Sequence, residues 1–126
     1  VPLDPSSFDP SGVDRNKPAV AAGAGLGTSP PAPTMDAQAD DKQGTISFGT
    51  GTVPAAGTIL TVTFARPRDA NRLPKVMLQE ATTAMAGIDV AISAVTSTGF
   101  TVVQGTRIVA ASQPAGTYAL TYLVID

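Results

Sequence analysis

A chain of 126 residues with a net charge of −2 suits a single domain with an appendage, and it offers no broad basic face for nucleic acid. It has no cysteine and no histidine, which excludes a disulfide framework, thiolate chemistry, Ser-His-Asp and Cys-His constellations and the common zinc sites. No apolar run nears the roughly 18 residues of a membrane helix, so membrane insertion is not expected, and no basic region followed by an apolar stretch marks a secretory signal.

Residues 1–43 hold Pro2, Pro5, Pro10, Pro18, Pro30, Pro31 and Pro33, each of which removes a backbone donor and biases its neighbour toward extended geometry. The larger apolar residues there follow no period. Leu3, Phe8, Val13, Val20 and Leu26 stand singly, like pegs along a cord. Ordering such a segment costs roughly 1–2 kcal/mol per residue, more than isolated pegs return. The reading is an extended anchoring or inter-subunit arm over 1–43 that takes its structure from a partner, with a plain linker as the alternative. "GAGLG" at 23–27 has no strand before it, no helix after it and no P-loop lysine, so it reads as flexibility and not as a phosphate cradle. Asp4, Asp9 and Asp14 recur, and Asp36, Asp40 and Asp41 cluster, but no DxDxDG loop is present and calcium needs about six to eight converging oxygens. No metal and no cofactor is assigned.

From Gly44 the composition turns to Thr, Val, Ile, Phe and Tyr, the strand formers, in period-2 alternation. Ile46 and Phe48 share a face, as do Leu60, Val62 and Phe64, then Val76 and Leu78, then Ile88, Val90 and Ile92, then Phe100 and Val102. Between them fall turn signals: "GTGT" through "PAAG" at 49–57, a loop from Arg66 to Pro74, and Thr98-Gly99 as a tight hairpin. "QEATTAMAG" at 79–87 is the only helix-compatible stretch, one turn or a plain loop. The last run places Tyr118, Leu120, Tyr122 and Val124 on one face and Leu123 and Ile125 on the other. It reads as a strand buried on both sides, and Tyr118, Tyr122, Leu123 and Ile125 are the candidates for a subunit interface. The fold class expected is all-β: a small antiparallel sandwich of six to eight strands over 44–126, preceded by the arm. About 80 residues is little for one core, so a homo-oligomer is expected.

Candidate chemistry is sparse. Glu80 and Asp89 would have to face each other across a cleft to act as a glycosidase pair, and nothing in the pattern asks for that. Arg66, Arg68, Arg72 and Lys75 form the local basic concentration, a loop for an acidic partner, a surface polysaccharide or a subunit contact, or else a solvated hairpin tip. No catalytic residue is assigned, and the chain reads as a non-enzyme.

Four stretches carry a resemblance: "AVAAGAGLGTSPPAP", "DKQGTISFGTGTVPAAGTILTVTFARPRDANRLPKVMLQEA", "VAISAVTSTGFTVV" and "AGTYALTYLVID". Over residues 19–126 the chain resembles small β-domains in structural proteins of tailed bacteriophages and prophages. The shared pattern runs from GT-hydrophobic-GTGT through TVTF-x-x-P and P-K-V-hydrophobic-L to the closing A-G-T-Y. The resemblance implies a β-sandwich, often trimeric, displayed on the outside of a virion as a capsid decoration, a head fibre, or a tail-fibre or receptor-binding tip. It implies other virion proteins, of capsid or tail, as partners gripped by the arm, and a host surface glycan or receptor as a further one. It carries over no catalytic residue. The alternative is a carbohydrate-binding or adhesion module of a secreted or cell-surface protein. The lack of tryptophan, and the placement of Tyr118, Tyr122, Phe48, Phe64 and Phe100 on core faces, count against it.

Overall fold

The computed structural model describes residues 17–86, 88–105 and 107–126. The strands are β1 (Ala19–Ala22), β2 (Thr34–Met35), β3 (Gln43–Phe48), β4 (Gly57–Thr63), β5 (Lys75–Glu80), β6 (Val90–Thr96), β7 (Gly99–Gln104) and β8 (Tyr118–Ile125). They form two antiparallel four-stranded sheets, ordered β1-β4-β7-β6 and β2-β3-β8-β5. This is the all-β sandwich that the alternation predicts.

The inward face of the second sheet follows from its register. Gly44, Ile46 and Phe48 of β3 lie opposite Tyr122, Leu120 and Tyr118 of β8, and Val76 and Leu78 of β5 lie opposite Val124 and Tyr122. The first sheet answers with Leu60, Val62, Phe100 and Val102, all buried. Phe100 joins the layers, 5.7 Å from Tyr122 centroid to centroid, and lies 6.0 Å from Phe64 on its own side, while Phe48 stacks on Tyr118 within the second sheet at 5.6 Å. Gly44 leaves room for the largest of these side chains, because a Cβ there would run into the Tyr122 ring. A bulge between Thr58 and Leu60 breaks strict alternation in β4, so Ile59 and Leu60 are both buried. The Thr98-Gly99 hairpin is present: β6 and β7 pair from Thr96 opposite Gly99. The stretch at 79–87 holds a single 3₁₀ turn, Thr83–Met85, whose Met85 is fully buried.

The boundary expected between residues 43 and 44 is not where the domain begins. β1 pairs along β4 from Ala19 opposite Thr63 to Ala22 opposite Leu60, and β2 covers β3. Val20 packs against the core, and Leu26, at 0% exposure, is part of it. Gly23 donates its N–H to the Ile59 carbonyl at 2.8 Å, so "GAGLG" is docked on β4 and includes the 3₁₀ turn Ala24–Leu26. Val20 and Leu26 are therefore pegs whose sockets lie in the chain's own sandwich. The physical reason is that β3 and β4 would otherwise each present a bare edge of unpaired N–H and C=O groups, which the leading residues pair and cover. Leu3, Phe8 and Val13 lie outside the described residues.

The last strand also differs from its expected state. Tyr118 and Tyr122, two of the interface candidates, pack into the core, while Leu123 and Ile125 face outward at 45% and 47% exposure. β8 buries Tyr118, Leu120, Tyr122 and Val124 inside the fold, with the 3₁₀ turn Thr83–Met85 also packed against it, and leaves Leu123 and Ile125 exposed.

Candidate functional site

At one end of the sandwich the loops around residues 27–31, 49–54 and 105–117 are laced into one platform. Gly51 N–H donates to the Leu26 carbonyl, Thr28 and Thr52 exchange main-chain hydrogen bonds at 2.8 and 3.0 Å, and Ser112 N–H donates to the Gly51 carbonyl. The "GTGT" stretch is thus a bracket gripped from two sides. A Cβ on Gly51 would strike the Thr28 carbonyl, which is why glycine stands there. Buried Thr50 holds the third loop: its Oγ1 donates to the Ala110 carbonyl at 2.6 Å and accepts the Gln113 N–H at 3.0 Å. Buried Gln104 holds the loop nearer its start, donating Nε2 to the carbonyls of Ala55 and Ile108 and accepting the N–H groups of Arg107 and Ile108 on Oε1. Ile108 then plugs the core.

An open groove of about 560 Å³ crosses this platform, lined by Thr28, Ser29, Pro31, Thr50, Gly51, Thr52, Ser112, Gln113 and Pro114. Two of the lining residues, Ser29 (φ 53) and Ser112 (φ 58), occupy the left-handed region, and Val53 (φ 54) does so beside Thr52. These are the non-glycine residues with positive φ among those described. Each such conformation costs about 1–3 kcal/mol and persists only where the surroundings impose it. For β-branched Val53, 80% exposed, no burial offsets that cost. Sequence reading took these stretches as ordinary turns, because the groove exists only once three loops distant in sequence are brought together.

The basic loop resolves differently. Residues 66–75 cross from β4 in one sheet to β5 in the other, so they form no hairpin tip. Arg68 folds inward: its guanidinium lies 4.9 Å from the Phe64 ring centroid, its Nη1 3.6 Å from Asp41 and its Nε 3.1 Å from Asp126. Asp41 is fully buried and also accepts the N–H groups of Ala65 and Arg66, both at 2.8 Å. Arg68 thus pairs with two carboxylates of its own chain, while its Nε and Nη2 are buried without a hydrogen-bond acceptor among the described residues. Arg72 shares a pocket of about 500 Å³ with Pro67, Arg68, Asp69 and Asp126, where carboxylates match guanidiniums in number. Arg66 and Lys75 are exposed, Lys75 opening β5. Asp40 turns the chain into β3 by accepting the N–H groups of Lys42 and Gln43. Its main-chain carbonyl takes the Tyr122 hydroxyl at 2.6 Å. Burial, and then the nearby Asp40, Asp36 and Asp41, push that hydroxyl well above its ordinary value of 10.0. Glu80 ends β5 and Asp89 precedes β6, both exposed. No cluster of potential metal ligands occurs among the described residues. No helix among them is long and apolar enough to cross a membrane.

A second surface lies on the outer face of the β2-β3-β8-β5 sheet. Met77 of β5 sits opposite Leu123 of β8, and Lys75 sits opposite Ile125. Met77 is 57% exposed, and with Leu123 and Ile125 it makes an apolar patch, flanked by Lys75, on a face otherwise built from Gln43, Thr45, Ser47, Gln79, Ala119 and Thr121. The interface candidates Leu123 and Ile125 are thus brought together with a residue, Met77, that sequence reading passed over. Its partner in the register carried the signal.

Neither family models, nor curated proteins, nor solved structures yield a match to this chain.

Proposed function

We propose that the chain is a non-enzymatic structural protein of a tailed-phage particle, an exterior β-sandwich knob that packs against other particle subunits through the Met77, Leu123 and Ile125 patch. The single observation that carries the reading is this cross-strand apolar cluster on an outer sheet face, where a strand alternating for solvent would place polar groups. The compact all-β body and the resemblance of residues 19–126 to small phage β-domains support it further. A homo-oligomer, with a trimer favoured, buries the patch between copies. Capsid or tail proteins are the other partners. The anchoring role once given to residues 1–43 narrows to the chain ahead of β1.

The test is gold-labelled antibody against the chain, applied to particles purified from a lysate of the source culture. Gold on the particle exterior is expected. Gold confined to cell envelopes or to the particle-free supernatant would overturn the proposal in favour of a secreted or cell-surface adhesion module. The feature that favours this second reading is the groove at the loop end.

A further inference from the structure

We infer that the groove between the loops at 27–31, 49–54 and 110–114 is a binding site for a neutral saccharide. Its lining is mostly apolar surface, with hydroxyls of Thr28, Ser29, Thr52 and Ser112 and the Gln113 amide as its polar groups and no charged side chain. An anion would find no cation there and a cation no carboxylate. A ligand dense in hydroxyls matches groups that both donate and accept, and the proline faces of Pro31 and Pro114 suit the C–H face of a sugar ring. The hydroxyls of Thr28, Ser29, Thr52 and Ser112 make no hydrogen bond with another described residue, whereas that of Thr50, beneath them, is fully engaged in holding the loops. Gln113 Nε2 donates to the Ala111 carbonyl at 3.2 Å, which fixes the amide and leaves its oxygen for a ligand.

The backbone gives the second, independent argument. The described non-glycine residues with positive φ all gather here, Ser29 and Ser112 in the lining and Val53 beside it. Strain of that kind concentrates where a geometry is held ready for a ligand. At Ser29 and Ser112 a glycine would relieve it, and a hydroxyl stands in its place. The lacing by main-chain hydrogen bonds fixes the groove before any ligand arrives. The site goes beyond the particle reading and does not depend on it, since the groove belongs to the isolated chain.

The experiment applies the full chain to a printed array of neutral and anionic oligosaccharides, followed by titration with the best-retained neutral one. Binding to neutral glycans is expected. Ser112→Gly and Gln113→Ala should each weaken it by roughly tenfold, the scale of one lost hydrogen bond, with thermal unfolding unchanged or raised for Ser112→Gly. Leu123→Lys, on the far sheet face, should bind as the parent does. The inference is overturned if only anionic glycans are retained, if no glycan is, if extended peptides compete for the groove while sugars do not, or if the groove variants bind undiminished. Because every arm is read on the isolated chain, failure here leaves the particle proposal standing, and the reverse also holds.

Discussion

The Tyr122 hydroxyl donates a 2.6 Å hydrogen bond to the main-chain carbonyl of Asp40, tying the middle of β8 to the residue that leads into β3. Tyr122→Phe removes that bond and leaves the carbonyl buried and unpaired, at a cost of about 1–2 kcal/mol in denaturant unfolding at neutral pH. The raised hydroxyl also sets a pH dependence. The folded state holds this proton more tightly than the unfolded chain, whose phenol titrates near 10.0, so the stability is full below that pH and falls as pH rises above it. In Tyr122→Phe the alkaline fall should flatten. An alkaline fall identical to that of the parent would show that another group governs it.

Leu26 tests whether the leading segment belongs to the sandwich. It is wholly buried among core residues, so Leu26→Ala should cost about 2–5 kcal/mol, the scale of a core cavity. A chain started at Gly44 would lose β1, β2, Leu26, Asp40 and Asp41 and should not unfold cooperatively by circular dichroism. Little effect of Leu26→Ala would mean that the segment 17–43 is only loosely attached.

Asp41 and Arg68 are unequal partners. Asp41→Ala strips hydrogen bonds from two main-chain N–H groups and leaves the mostly buried Arg68 without its closest interior counter-charge, so a loss of about 3–5 kcal/mol is expected. Arg68→Met keeps the stem against Phe64 and leaves Asp41 its two N–H donors, so it should cost clearly less. Chemical denaturation of both variants gives the order, and a reversed order would contradict this account of the corner.

At the loop end, Val53→Gly removes a left-handed β-branched residue whose side chain is almost free of contacts. Relief of roughly 1–2 kcal/mol of strain is partly offset by about 1 kcal/mol of added freedom in the unfolded chain, so the variant should match or slightly exceed the parent in stability. Gly51→Ala should do the opposite, because its methyl meets the Thr28 backbone. Urea midpoints for the pair separate the two effects.

Much of the sandwich was legible because period-2 runs of large apolar residues mark a buried face. Leu60 and Val62, and Tyr118, Leu120, Tyr122 and Val124, all point inward as their spacing predicts. β1 was not legible: "AVAA" has one large side chain, and it becomes a strand because the β4 edge supplies its hydrogen-bond partners. Leu26 stood alone among glycines, with no periodic neighbour to announce a core position. The apolar outer face of β8 could be read from Leu123 and Ile125, but Met77 joined it only through the β5 register. The groove was illegible for a stronger reason. Thr28 meets Thr52, and Thr50 meets Gln113, through main-chain hydrogen bonds between stretches far apart in sequence, which no periodic side-chain pattern announces.

The claim on which the functional account turns is that the Met77, Leu123 and Ile125 face is where copies or neighbours of this protein pack. Light scattering on the full chain, beside Leu123→Lys, tests it most directly. The account predicts an oligomer, a trimer in the favoured form, that becomes a folded monomer when the lysine is introduced. A parent that stays monomeric at every concentration, or an oligomer indifferent to Leu123→Lys, would contradict it.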